Sequence, residues 1–342
     1  MANFINILRY LWYMVVVIGI ESTAHTFGVA VVRNGKILSN IRRSYTTEKG
    51  GIIPLEAAKH HQKNKEEVYF EALKGSGIKE KEIDAIAISQ GPGLAPCLLE
   101  GMRFAKELAK RLRKTVVPVN HCIAHLEIGR TTGARDPVML YVSGANTQVI
   151  AYASGKFRVF GETLDIGVGN FIDNFARYAG IGFPGGPAMQ RLAEKGRKFI
   201  ELPYTVKGMD IALSGILTNL RQKLESKKYK LQDLAYSMQE TVFAMLVETA
   251  ERALAHTGKR ELLLGGGVAC NFRLQEMCKI MCKERGAKFF CPESSLLVDN
   301  AAMIAFLGEI MLKKGIKIKG KQIDKLDIKP RQRTDDVEVN FR

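Results

Sequence analysis

VVVIGIES (15–22), FGVAVVRN (27–34) and KILSNIRRSY (36–45) decide the fold. The first two runs are rich in Val and Ile and are separated by a short polar loop, which predicts an antiparallel hairpin. Asn34-Gly35 is a tight-turn pair, so the third run continues the meander. Upstream, YLWYMVVVIGI (10–20) stops at Glu21 and is too short to span a bilayer. It flows into the hairpin rather than into a small-residue cleavage site, so Val15 to Ile20 is read as the first buried strand rather than as a signal peptide. Residues 1–14 read as an N-terminal extension, with Met14 as the candidate native start. No membrane partner is expected, and a cytoplasmic location is.

Outward from the meander, strands and helices alternate. Pro54 to Lys74 has helical apolar spacing and is expected to end at Gly75. A strand at 84–89, a helix at 95–113 and a strand at 115–119 follow. The pattern then restarts, with a second meander at 137–142, 147–152 and 156–162. A strand at 261–264, a helix at 271–285, a strand at 287–291 and a helix from Asp299 to Lys314 complete it. The stretch SSLLV before Asp299 reads as strand-like. This is an α/β chain of two lobes pressed around a cleft. The expected division is 15–130 plus 296–325 for the first lobe and 131–295 for the second. Residues 326–342 are expected to form a charged, extended arm or linker.

At 342 residues, with 46% hydrophobic and 25% charged residues and 10 prolines, the chain is neither disordered nor collagen-like. Its net charge of +16 points to a polyanionic partner, nucleic acid ahead of a membrane surface. A Lys-rich thermophile surface is the plain alternative. Six cysteines without a CxxC pair argue against a zinc ribbon or a disulfide scaffold and fit a reducing compartment. Cys278 and Cys282, one helical turn apart, read as packing residues.

His121 and His125 are four residues apart, which on a helix stacks both imidazoles on one face. Such a pair can share a metal ion, or it can be two packed helix histidines. The protease signature HExxH would place Glu where Cys122 stands, so a zincin is disfavoured. A third ligand must come from elsewhere. Asp299 is either that ligand or an ordinary helix N-cap. Two His and one carboxylate suit Fe(II), and Zn(II) accepts them too. Four glycine-rich turns, at 91–93, 143–146, 184–187 and 265–267, are spread over both halves. Glycines after strands let backbone amides approach phosphates, and loops from both lobes could hold a nucleotide. Asp173, in GNFIDNFARYAG, could bind a ribose hydroxyl or be a solvated carboxylate. Basic residues on the 95–113 helix and at 223–230 could form an RNA track or a solvated face.

Together, GIESTAHTFGVAVV, SQGPGLAPCLLEGMRFAK, NHCIAHLEIGR, YVSGANTQVIAY, DIGVGNFIDNFARYAGIGFPGGP, ALSGILTNL, LLLGGGVACN and LLVDNAAMIA resemble the archaeal and eukaryotic tRNA threonylcarbamoyladenosine synthases, the catalytic subunit of the KEOPS complex. The match covers about residues 15–325. The resemblance implies an actin-like ATPase (ASKHA) fold around a nucleotide cleft. It implies transfer of threonylcarbamoyl from threonylcarbamoyl-AMP to N6 of the adenosine beside the anticodon of ANN-decoding tRNAs. It implies one divalent metal ion per subunit, Fe or Zn, held by His121, His125, Tyr141 and Asp299, with His121 and His125 counted as catalytic. It implies an adenylate, with ATP or AMP as surrogates, bound by Tyr141, Val142, Ser143, Gly144, Ala145, Asp173, Gly186 and Asn271. The implied partners are tRNA, a small atypical protein kinase (fused in some relatives) and further KEOPS subunits.

Three positions depart from the family pattern. Gln190 replaces its acidic residue after PGGP, which changes one expected ribose contact. Ala145 replaces a glycine. Glu21 stands where actins and sugar kinases carry an Asp in the first phosphate turn. Two alternatives compete: an actin-like small-molecule kinase without a structural metal, and a non-catalytic nucleic-acid-binding scaffold.

Overall fold

The computed structural model describes residues 14–48 and 51–342. Of the extension read at residues 1–14, only Met14 is among them; residues 1–13 lie outside the described residues. The meander forms as its sequence dictates: β1 (Val16–Glu21), β2 (Thr26–Arg33) and β3 (Lys36–Ser44) pair antiparallel. β1 is buried along its whole length, which explains its unbroken apolar run. Two parallel strands, β4 (Ala85–Gly91) and β5 (Thr115–Asn120), extend the sheet to the order β3-β2-β1-β4-β5.

The second half repeats this plan. β6 (Val138–Val142), β7 (Thr147–Ala153) and β8 (Lys156–Glu162) form an antiparallel meander. Beyond the two-residue strands β9 (Val206–Lys207) and β10 (Asp210–Ile211), β11 (Glu261–Gly265) and β12 (Lys288–Phe290) add in parallel. The order β12-β11-β6-β7-β8 is the topology of the first sheet over again.

The first-half helices are α1 (Pro54–Ser76), α2 (Ala95–Leu112) and α3 (His121–Ile128). The second half carries α4 (Val168–Tyr178), α5 (Gly186–Ala193), α6 (Ser214–Glu225), α7 (Leu231–Thr257) and α8 (Phe272–Glu284). Two late helices, α9 (Ser294–Leu297) and α10 (Ala301–Lys313), follow. α10 packs back on the first sheet: a Cβ on Gly19 would stand 2.4 Å from the Ala301 carbonyl oxygen, so only glycine permits this approach. α7, with fifteen buried residues, organises the second core, although the sequence reading did not pick it out.

Several expectations are corrected. α1 runs past Gly75 to Ser76 and ends on left-handed Gly77 (φ 68°), whose amide closes on Leu73 and Lys74. SSLLV is not strand-like: Ser294–Leu297 is one helical turn. The tail is not a detached arm. Leu326 enters the first core, and Val339 and Phe341 enter the apolar cluster between α3, α10 and β6. Its charges hid these few anchors. Cys278 and Cys282 are buried in the second core, as their spacing suggested.

Candidate metal and nucleotide site

Asn120 at the end of β5 starts α3, its side chain accepting from the Ile123 amide. The helix therefore begins at His121 and places His121 and His125 on one face, with ring centroids 4.8 Å apart. Both are almost completely buried. At the other end of the chain, Asn300 rather than Asp299 caps α10, accepting from the Met303 amide. That excludes the plain N-cap reading of Asp299 and leaves its carboxylate free. One oxygen lies 3.4 Å from His121 Nε2 and 3.5 Å from His125 Nε2. The donor atoms of the three residues lie within 4.8 Å of one another.

The site has unmet bonding capacity. Among the described residues, neither ring nitrogen of His125 makes a hydrogen bond, and neither does the Tyr141 hydroxyl. Tyr141 is fully buried, its ring 5.2 Å from that of His125. Buried polar atoms without partners are costly unless something binds them. A tetrahedral ion with ligands at about 2.1 Å has donor–donor edges of roughly 3.4 Å. The observed separations match that scale, so the donor set fits a divalent cation.

Glu21 orders the cluster from behind. Its carboxylate accepts from His121 Nδ1 at 3.0 Å, from the Thr23 amide at 2.7 Å and from Thr23 Oγ1 at 2.5 Å. This leaves His121 Nε2 directed at Asp299. Burial alone would lower the His121 basicity, but the Glu21 and Asp299 carboxylates overturn that and raise it well above the ordinary histidine value. His125 goes down, because burial dominates there. Burial pushes the Tyr141 phenol up. For Asp299, burial is outweighed by the two imidazoles, which hold it well below the usual carboxylate range. Sequence reading placed Glu21 in a phosphate turn and missed its contact with His121, a hundred residues away; no local pattern signals it.

Of the expected nucleotide residues, Tyr141 adjoins this cluster directly, its ring against that of His125. β6 carries Tyr141 and Val142 into the turn Ser143–Gly144–Ala145–Asn146, closed by the Ser143 amide on the Asn146 carbonyl at 2.8 Å. The start of α4 holds the turn in place: the Gly169 and Asn170 amides donate to the Ser143 and Gly144 carbonyls at 3.0 and 2.9 Å. A Cβ on Gly169 would come within 2.7 Å of the Gly144 backbone, which explains the glycine there. The Gly144 and Ala145 amides have no partner among the described residues. The methyl of Ala145 is accommodated.

Asp173, on α4, accepts from the Gly185 amide at 2.8 Å and also from that of Gly186. Burial raises its carboxyl and these amides oppose the rise. It thus holds the start of α5 rather than lying free in solvent. Gln190, on α5, donates to Glu194 at 3.3 Å. Asn271 caps α8 and donates to Gln239 at 3.0 Å. Gly266 brings the fourth glycine turn against Val142: at φ 89°, a Cβ would lie 2.4 Å from the Val142 carbonyl. The two halves meet where Thr47 pairs with Phe183, and the His25 ring abuts Phe183 edge-on at 5.2 Å.

With this geometry in view, comparisons with known proteins are specific. Residues 36–306 match the TsaD family, described as tRNA N6-adenosine threonylcarbamoyltransferase. The chain is 53% identical over 326 residues to the curated "tRNA N6-adenosine threonylcarbamoyltransferase" of Thermococcus sibiricus, covering 95% of this chain and all of the relative. It is 50% identical to the "Probable bifunctional tRNA threonylcarbamoyladenosine biosynthesis protein" of Methanosarcina mazei, covering 95% of this chain and 59% of that longer protein. Among solved structures, Thermococcus kodakarensis HypF superposes with a TM-score of 0.61 at 16% identity, over 88% of this chain and 48% of HypF. The component A of Acidaminococcus fermentans (R)-2-hydroxyglutaryl-CoA dehydratase gives 0.52 at 12% identity, over 86% and 98%. Those likenesses carry the fold alone, and it is the actin-like α/β fold. The names favour neither the small-molecule kinase nor the scaffold alternative. No helix among the described residues is long and apolar enough to cross a membrane.

Proposed function

Because the chain belongs to the tRNA N6-adenosine threonylcarbamoyltransferase family, we propose that it catalyses this transfer at the His121–His125–Asp299 cluster, with threonylcarbamoyl-AMP as donor. The enzyme is a tRNA-modifying transferase. The acceptor is N6 of the adenosine beside the anticodon in ANN-decoding tRNAs. The observation that supports the site most strongly is the buried set of unpartnered donors, His125 and Tyr141, facing Asp299 beside a turn with two free amides.

His121, His125, Tyr141 and Asp299 would hold one divalent ion, iron or zinc. When bound there it supplies a Lewis acid that polarises the carbamoyl carbonyl of the donor. Everything else falls to the chain. Glu21 keeps the His121 ring in one orientation. The Gly144 and Ala145 amides donate to the phosphate as negative charge collects on it. Asp173 fixes Gly185 and Gly186, which with Val142, Ser143 and Asn271 shape the adenylate cradle, and Gln190 takes the place of an acidic ribose contact. In the transfer, N6 attacks the carbamoyl carbon and a C–N bond forms. The bond from that carbon to the phosphate oxygen breaks, AMP leaves as an anion, and N6 gives up one proton to water. The exocyclic amine is a weak nucleophile, so holding it within reach of the carbon contributes much of the rate.

The two repeated sheets support two lobes, 15–130 plus 296–325 and 131–295, with the cleft between them. The protein works in the cytoplasm with the small atypical protein kinase and other KEOPS subunits of its family. The longer relatives named bifunctional support a second activity travelling with this one. The test is transfer of labelled threonylcarbamoyl to unmodified tRNA. His121→Ala and His125→Ala should lose bound metal and transfer together, and full transfer by a metal-free variant would refute the reading.

A further inference from the structure

The transfer takes a proton from N6, and the titratable groups around the site are already committed. Glu21 accepts three hydrogen bonds from His121 and Thr23. Asp173 is taken by the Gly185 and Gly186 amides. His121, His125, Tyr141 and Asp299 face the ion site. His61 donates through Nε2 to the Ala24 carbonyl at 3.1 Å, and His60 packs against Tyr45 and His61. His25 is the exception. It is half-buried, and among the described residues neither of its ring nitrogens makes a hydrogen bond.

Its position ties it to both walls of the site. His25 lies in the loop between β1 and β2. Two residues before it, Thr23 Oγ1 stands 3.3 Å from His121 Nδ1. On the other side, its ring abuts Phe183 at 5.2 Å, and two residues beyond Phe183 the Gly185 amide is bonded to Asp173. Two residues of chain reach at most about 7 Å, so His25 is a short step from the metal cluster and from the adenylate cradle alike. The electrostatics agree. Beyond burial, which raises the carboxyls of Asp173 and Asp299, and beyond their hydrogen bonds, a charge on His25 pulls both down. The donor's adenylate belongs to the cradle and its carbamoyl oxygen to the ion. The carbon under attack therefore lies between them, on the stretch that His25 borders. Partial exposure leaves the ring open to an incoming base and to water.

We infer that His25 is the proton acceptor of the transfer, taking the N6 proton and handing it to water. As the N6 lone pair forms the new C–N bond, one N–H bond of N6 breaks and its electrons stay on that nitrogen. The proton passes to a free ring nitrogen of His25, and the imidazolium then releases it to water. AMP leaves with the electrons of the bond to its phosphate oxygen, so atoms and charge balance. This rests on the transferase reading above and supplies the base that reading lacks.

The test is single-turnover transfer from threonylcarbamoyl-AMP to unmodified tRNA, by the metal-loaded full chain assembled with its family's partner subunits. His25→Ala and His25→Gln should both slow the chemical step about 100-fold, the low end for losing a general base. Bound metal, AMP affinity and the donor concentration for half-maximal rate should stay within about twofold of wild type, because the ring holds neither ligand. Free imidazole should restore transfer in His25→Ala, a rescue that a residue merely shaping the cleft does not give. A wild-type rate in His25→Gln, a loss confined to AMP or donor binding, or a slow His25→Ala that imidazole does not restore would each overturn the proposal. Transfer by the wild-type protein would leave the transferase reading standing in all three cases. A wild-type protein that transfers nothing would overturn both.

Discussion

Replacing Glu21 isolates what the cluster owes to the group behind it. Its carboxylate is fully buried and accepts three hydrogen bonds, one from His121 and two from Thr23. Glu21→Ala removes the orienting partner of one metal ligand and strands the Thr23 amide. Loss of such a partner lowers metal affinity about 10–100-fold, or roughly 1.4–2.8 kcal/mol. The stranded amide adds about 1–3 kcal/mol of lost folding stability, a separate quantity. Glu21→Gln keeps an oxygen for Thr23 but sets its NH2 against His121 Nδ1, where it can only donate, which moves the ring proton to Nε2, the nitrogen that faces Asp299. Its metal affinity should fall at least as far as that of Glu21→Ala. The assay is a competition titration of Zn(II) against a chelator at fixed pH, with thermal unfolding run in parallel. A folded Glu21→Ala variant that binds the ion within twofold of wild type would show that Glu21 does not order the site.

Three further outcomes are expected. Gly169→Ala should push the Ser143–Asn146 turn off α4, since its Cβ would meet the Gly144 backbone at 2.7 Å. Overpacking of this kind costs about 1–3 kcal/mol, so AMP affinity measured by calorimetry should fall about tenfold or more. His61 is buried against Phe27, and desolvation pushes its pKa from 6.5 down to about 4. The unfolded chain therefore takes up the proton first. Stability is whole above pH 6.5 and lost by roughly 3 kcal/mol as pH falls to 4. Urea unfolding across that range should show the slope, and His61→Phe should flatten it. Arg342 donates to the fully buried Glu127 at 2.8 Å and lies over Tyr152 and Phe157. Arg342→Ala leaves Glu127 only Arg130, so stability in urea should drop by about 2–3 kcal/mol.

Local patterns carried the fold a long way. Val/Ile runs, Asn34-Gly35 and the restart at residue 137 were enough to read two meanders, because strand periodicity and turn chemistry act over a few residues. The HxxxH pair was legible for the same reason: helix geometry fixes the spacing of His121 and His125. Asp299 was ambiguous because either of two adjacent residues could cap α10, and only the structure assigns the cap to Asn300. The contact of Glu21 with His121 was not legible because it joins residues a hundred positions apart. The tail was read as an arm because Leu326, Val339 and Phe341 are too widely spaced among charges to give a periodic signal.

The central claim is that two imidazoles, a phenol and a carboxylate from three separate places in the chain share one ion. Anomalous-difference diffraction from crystals of the protein loaded with iron or zinc tests it most directly. The expected map has a single peak within bonding distance of His121 Nε2, His125 Nε2, Tyr141 Oη and Asp299. A crystal of loaded protein with no peak there, or with the ion on other side chains, would contradict the account.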